Sequence, residues 1–270
     1  MGRLERWHET QEERIVTPFV SFVGAGPGEA DLLTLKAIRR LREAAVIVHD
    51  QPIPPDVLEY ARADAEVIDA GTTPGRPGLG QPEINWLLVD RARRRGRVVR
   101  LKGGDPGVFA RLAEEVEAVR GAGVGFEIVP GVSAAMAAAA RAGISLTEQA
   151  SASTVVFATG ADQHGALPAL DWELLARTDG TLVFYMAVGA FESITSTLTA
   201  LGRDAREPAL VVERCGFADE QMVAGRVGDI AERAQRAGVQ APALLLIGPT
   251  VATASAPIAV SRLTTVVASV

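Results

Sequence analysis

The sequence predicts an α/β protein made of two α/β halves of similar size. From Phe19 onward, short apolar runs alternate with amphipathic stretches of helix length, the order that lays helices against a sheet. Gly or Pro ends most of the apolar runs, so the turn chemistry gathers at strand C-termini, where open α/β sheets bind ligands. The chain has 270 residues, 48% hydrophobic and 22% charged, which is enough apolar material for one or two packed domains.

In chain order, "FVSFVGAG" is a strand and residues 31–44 carry apolar side chains near the helical period. "AVIVHD", "AEVIDAG", "VVRLKGGDP" and "FEIVPG" are further strands, with helices over residues 81–96 and 108–123 and an alanine-rich helix from residue 134. A second set of strands follows: "TVVFATG", "GTLVFYMAV", "PALVVERCG", "EQMVAGRV" and "PALLLIGPTV". Helices are expected at residues 192–202 and 228–238. The resulting division is an arm at 1–18, an N-terminal α/β domain at 19–148, a C-terminal one at 149–256 and a strand or tail at 257–270. In the arm, Leu4, Trp7 and Ile15 give a weak helical stripe.

The net charge of −6 argues against a nucleic-acid partner. Five arginines cluster in "RARRRGR", but at the end of an expected helix, where the dipole favours cations and a solvated face explains them. The single cysteine, Cys215, rules out an internal disulfide and fits a reducing compartment, and alone it makes no zinc motif. No run near the N-terminus has the apolar length of a signal peptide or membrane span, so a cytoplasmic protein without a membrane partner or a metal is expected.

"GAGPGEADLLTLKA" looks like a nucleotide loop and fails that test. Gly24, Gly26 and Gly28 are spaced two apart, against the G-x-G-x-x-G of dinucleotide sites, and no Gly-Lys-Ser/Thr follows. Pro27 has no N–H to give a phosphate, so the loop suits a rigid, closely approaching backbone wall. Taken singly, Asp105 is a turn former, Met186 a core residue and Ser133 a helix N-cap.

Together with that loop, "VRLKGGDPGVFARLAEE", "VPGVSAAMAAAA", "DWELLA", "GTLVFYM" and "PALLLIG" occur in order. In this combination the chain resembles the tetrapyrrole methylase family, class III S-adenosylmethionine-dependent methyltransferases, and most of all its uroporphyrinogen-III C-methyltransferase branch. The resemblance implies two α/β domains facing a cleft that holds S-adenosyl-L-methionine, and a homodimer. It places cofactor contacts at Pro27, at Gly103, Gly104 and Asp105 of "GGDP", and at Val108. Further contacts fall at Ser133, Ala134 and Met186, and backbone contacts at Cys215 and Ala243, with Cys215 standing where the family has glycine.

On the acceptor side the resemblance makes Asp50 of "HDQPI" the catalytic base, with His49 pointing the other way and structural. Other groups depart from the pattern. Gln51 replaces an arginine, Thr72 and Thr73 replace the Lys-Arg of "GKR", Pro77 a histidine, and Glu148 and Gln149 the pair in "LTHR". Arg76, Arg100, Lys102, Arg111 and Arg141 are the cations available to compensate. "RLA" in place of "RGG" should stiffen the helix start beside the pocket. Three readings stay open: methylation of uroporphyrinogen III in sirohaem or corrin synthesis, methylation of a smaller carbon or nitrogen nucleophile, and a non-catalytic cofactor-binding protein.

Overall fold

The computed structural model describes residues 17–50, 53–72, 77–162 and 165–254. The expected helical stripe in the arm and the expected C-terminal strand or tail lie outside these residues, as do Gln51, Thr73 and Arg76.

Five strands form the first sheet: β1 (Phe19–Gly24), β2 (Val46–His49), β3 (Glu66–Asp69), β4 (Arg97–Lys102) and β5 (Gly125–Val129). Their order is β3-β2-β4-β1-β5 and every pairing is parallel. Parallel strands need covering on both faces, which is why "AVIV" is apolar without alternation. On one face Phe22, Val46, Val48 and Val98 pack beneath Leu88 and Val119; on the other Ile47, Val99 and Leu101 pack beneath Leu41 and Val57.

The helices of this half are α1 (Leu35–Glu43), α2 (Pro55–Leu58), α3 (Gln81–Arg95), α4 (Leu112–Gly121) and α5 (Ala134–Arg141). Helix α1 begins later than its apolar pattern because Thr34 Oγ1 caps it, accepting from Ala37 N at 3.1 Å. Residues 30–32 before it form a turn of 3-10 helix. Helix α3 ends in Arg93, Arg94 and Arg95 with Gly96 at φ 84, and the arginines there are held by local partners such as Asp90 and the Ala122 carbonyl. This is the solvated helix end the composition suggested.

The expected helix at 108–123 starts only at Leu112. Phe109 and Arg111 both take left-handed backbone, φ 50 and 53, which no helix continues through. The stiffer start expected from "RLA" is therefore a strained, non-helical entry instead.

The second sheet contains β6 (Val155–Thr159), β7 (Thr181–Tyr185), β8 (Pro208–Glu213), β9 (Gln221–Arg226) and β10 (Ala243–Ile247), ordered β6-β7-β10-β8-β9. Only β6 and β7 pair in parallel; the other three pairings are antiparallel. Helices α6 (Trp172–Arg177), α7 (Phe191–Ala200) and α8 (Ile230–Arg236) accompany it. Ile194, Leu198 and Ile230 cover Leu182, Phe184, Val211 and Leu245 on one face.

The opposite face, with Val183, Leu210, Leu244 and Leu246, is covered by Ala135, Ala138 and Ala139 of α5. So α5, which precedes residue 148 in the chain, packs on the second sheet. Small alanine side chains let that helix approach closely while burying one face.

Because the first sheet is parallel, the C-termini of β1, β2 and β4 share one edge. In the second sheet β7 and β8 both run antiparallel to β10, so the ends of β7 and β8 and the start of β10 also share an edge. The loops from these two edges meet, and the expected cleft between two α/β units lies there.

Candidate functional site

The wall nearest the first sheet is built by Gly24, Gly104 and Gly131, and at Gly24 and Gly131 there is no room for a side chain. A methyl on Gly131 would lie 2.3 Å from Gly104 O, and one on Gly24 would lie 2.6 Å from the same oxygen. Gly26 and Gly104 exchange backbone hydrogen bonds, 2.7 Å and 3.2 Å, and both have positive φ, 73 and 67. The "GAGPG" and "GGDP" loops are thereby zipped together, which explains why both are glycine-rich.

Asp105 secures this wall. Its Oδ2 accepts from Gly131 N at 3.0 Å and its Oδ1 from Gly107 N at 2.7 Å. One carboxylate thus ties "GGDP" to "VPGVS", a function the turn-former reading missed.

The second sheet supplies the facing wall. The Tyr185 hydroxyl lies 2.7 Å from Ser133 Oγ and accepts from Ala135 N at 3.2 Å. Burial raises the Tyr185 pKa, so it stays a neutral phenol. Phe109 comes from the first half and rests against the Tyr185 ring, centroids 5.0 Å apart. Met186 and Arg214 have φ 54 and 48, and Arg214 is braced by Asp219 at 2.7 Å and by the Phe217 ring. Among the described residues four non-glycines have positive φ, and three of them, Phe109, Met186 and Arg214, line the resulting cavity. Strained backbone of this kind persists where the surroundings fix it and clusters at ligand sites.

The cavity measures about 440 Å³, within the range of small-molecule sites. All ten positions expected to contact a cofactor line it: Pro27, Gly103, Gly104, Asp105 and Val108 from the first half, Ser133 and Ala134 at the start of α5, and Met186, Cys215 and Ala243 from the second. Cys215 is buried and burial pushes its thiol up to about 12, so it is a protonated wall residue rather than a nucleophile. Sequence reasoning missed Tyr185, Phe109, Phe217 and Arg214, which also line the cavity. Tyr185 had a signal, its place beside Met186 at a strand end; Arg214 and Phe109 had none, because their exposure depends on left-handed backbone.

Asp50 does not line this cavity, although Ile53 and Pro54, just after it, do. Its carboxylate accepts from Arg100 at 2.6 Å and keeps about a third of its surface exposed. Burial works to raise its pKa, but the Arg100 hydrogen bond and the charges of Arg100 and Lys102 outweigh it and hold the carboxyl below its usual value. His49 is buried, 3.8 Å from Asp69.

Among the described residues the compensating cations are engaged elsewhere. Arg100 and Lys102 are buried on Glu115, Arg111 pairs with Glu114, and Arg141 joins Glu29 to Glu220. Glu148 sits exposed in a turn with Ser151 and stays out of the cavity lining.

The walls fit S-adenosyl-L-methionine in kind. They present close backbone, small apolar groups and a few neutral hydroxyls, suited to a ligand without phosphate, and no side chain projects from Gly104 into the space.

Comparison with known proteins agrees. The family model for tetrapyrrole (corrin/porphyrin) methylases matches residues 20–231. Siroheme synthase of Sodalis glossinidius is 42% identical over 256 residues, covering 93% of this chain and 54% of that protein. Siroheme synthase 1 of Aeromonas salmonicida is 43% identical over 86% of this chain and 49% of its own length. The chain thus spans about half the length of the curated relatives it matches.

Among solved structures, uroporphyrin-III C-methyl transferase of Thermus thermophilus complexed with S-adenyl homocysteine is 40% identical, with TM-score 0.75, over 86% of this chain and 98% of that one. A cobalt precorrin-4 methyltransferase is 28% identical with TM-score 0.78 over 86% of this chain. A family model spanning most of the sequence, two sheets in the same arrangement and a cavity at their meeting edges lead to one conclusion: the chain belongs to the tetrapyrrole (corrin/porphyrin) methylase family.

Proposed function

We propose that this chain is an S-adenosyl-L-methionine-dependent methyltransferase that methylates uroporphyrinogen III in the sirohaem pathway. The observation that carries the reading is the convergence of all ten cofactor positions, from both halves, on one cavity. The names of its relatives support the acceptor.

When bound, the cofactor supplies an electrophilic methyl group on a sulfonium. The chain's own part is to hold the acceptor in line and take up the proton it gives up. Asp50 is the proton acceptor in this reading. Held ionised by Arg100, it is a weak base, which suits the acidic proton of a pyrrole ring that has just gained a methyl cation equivalent. The apolar lining keeps water from the sulfonium.

The reading includes a homodimer in the cytoplasm without nucleic-acid or membrane partners, supported by the family resemblance, the net charge of −6 and the single cysteine. No helix among the described residues is long and apolar enough to cross a membrane. It also keeps the division near residue 148, supported by one five-stranded sheet on each side.

One observation favours a second acceptor class. Each described cation offered as compensation is already paired with a carboxylate, and uroporphyrinogen carries eight carboxylates to be met. A smaller carbon or nitrogen nucleophile would need no such cations.

Labelled S-adenosyl-L-methionine with freshly reduced uroporphyrinogen III, without oxygen, separates the two. Label in mono- and dimethylated macrocycle establishes the first reading, and Asp50→Asn should then lower turnover about 100-fold with cofactor affinity kept. Cofactor binding without transfer turns the reading to the smaller acceptor.

A further inference from the structure

Four ionisable side chains lie end to end beneath the binding edge of the first sheet. Asp50 accepts from Arg100 at 2.6 Å, Arg100 reaches Glu115 at 3.0 Å, and Glu115 accepts from Lys102 at 2.8 Å. Arg100 and Glu115 are fully enclosed and Lys102 nearly so. Gln81 adds a contact to Glu115 at 3.3 Å, and Arg100 also points at the carbonyls of Val48 and Leu101. Among the described residues no buried side-chain nitrogen or oxygen lacks a partner.

Stability alone does not ask for this arrangement. Taking each charge out of water costs several kcal/mol, and apolar side chains of equal volume often serve as well or better. Strand β4 has that alternative at hand. By the two-residue period Val98, Arg100 and Lys102 share one face, and Val98 packs conventionally in the core. The face changes from apolar to charged as the strand nears the binding edge. At one end of the charged chain Lys102 is bonded covalently to Gly103 of the cavity wall; at the other stands Asp50.

We propose that Arg100, Glu115 and Lys102 are positioning residues that fix the carboxylate of Asp50, and its ionisation, relative to the cofactor wall. Its turnover consequence rests on the reading of Asp50 as proton acceptor; its titration consequence does not. The charges alternate, so each link competes with the next. Removing the charge of Glu115 releases Arg100 to Asp50 and leaves two cations behind, driving the Asp50 midpoint down. Removing the charge of Lys102 throws Glu115 wholly onto Arg100 and drives that midpoint up. The other titratable groups beside Asp50 are His49, next to it in the chain, and Asp69 on β3, 3.8 Å apart, and both stay unaltered in the variants.

The test uses the full chain with carboxyl-labelled aspartate, followed by carbon NMR across acid pH without cofactor, with Asp50→Asn identifying the signal. Lys102→Met should raise the Asp50 midpoint by about one unit, and Glu115→Gln should lower it. In the transfer assay both should cut kcat about tenfold with KM for the cofactor within about twofold, and the acid limb of kcat should move in the same opposite directions. Midpoints that stay put, or that move in the same direction in both variants, overturn the proposal. If Glu115→Gln does not fold, Lys102→Met decides by itself, since methionine keeps the volume and most of the shape. If the unaltered chain transfers no label to uroporphyrinogen III, that reading fails while the titration still decides this one.

Discussion

The cofactor cavity and the Asp50 end of the same sheet edge are built by opposite means. The cavity wall is backbone against backbone: Gly24, Gly104 and Gly131 in contact, with Asp105 tying two loops through their N–H groups. The Asp50 end is side chain against side chain, four charges in alternation, three of them enclosed from solvent and Asp50 partly exposed. A wall made of contact distances is broken by added volume, whereas a chain made of charges is broken by removing one. The two regions meet at the Lys102–Gly103 bond, so each can be perturbed by its own kind of substitution and the other watched.

The largest effect is expected from volume at the wall. In Gly131→Ala the new methyl would meet Gly104 O at 2.3 Å and Gly24 Cα at 2.9 Å, both backbone, so the loops must part. We expect S-adenosylhomocysteine affinity by calorimetry to fall at least about 100-fold, in line with what a small misplacement does to a fitted site. Gly121→Ala is the control: its methyl meets nothing within 4 Å, and it should bind normally and gain up to about 1 kcal/mol in stability. Normal binding by Gly131→Ala would remove the idea that contact distances define the wall.

Next in size is Asp105→Ala. It leaves the N–H groups of Gly107 and Gly131 without their carboxylate, a loss of about 1–3 kcal/mol for such bonds, and should weaken cofactor binding roughly tenfold or more. Unchanged affinity would mean that the glycine packing holds the wall unaided.

The smallest effect on function belongs to a charge outside both regions. Glu127 on β5 is bonded by Arg40, Lys36 and Ser21, which together overcome its burial and bring its pKa from 4.5 to about 2. A depressed carboxyl contributes stability that is fully present above its unfolded value and lost as pH falls through the folded one. Glu127→Gln should therefore melt below the parent at pH 6, with the gap closing as pH drops from about 4.5 toward about 2, while cofactor affinity stays the same. A gap that persists to low pH would assign the difference to packing instead of charge.

The elements most legible in the sequence are those whose pattern is set by burial. Among the described residues all ten strands occur where apolar runs were expected to form them. Helices α2 and α6, of four and six residues, are too short to show a period, and neither was expected as an element. The start of α4 was misplaced because left-handed Phe109 and Arg111 are not glycines and carry no local sign of that backbone.

The cavity was legible because its walls are glycine and proline motifs, which declare their backbone demands locally. The charged chain was not. Arg100 and Lys102 read from sequence as cations free to meet an acidic acceptor, and only the placement of α4 over β4 puts Glu115 between them. Pairing across fifteen and thirteen residues of chain is a tertiary fact with no local signature.

Gly28 ends the first loop of one half, and a methyl on it would fall 2.6 Å from Gly216 O, at the tip of the other. Beside that contact Arg141 joins Glu29 to Glu220, so at this end of the cleft the two halves are pinned by touching backbones and a shared arginine. For a lineage adapting this scaffold to bulkier or slimmer acceptors, that pin is a fixed pivot. Width can evolve at the far rim, where Phe109 and Met186 stand exposed, while the spacing at Gly28 and Gly216 tolerates no larger residue and must be inherited unchanged.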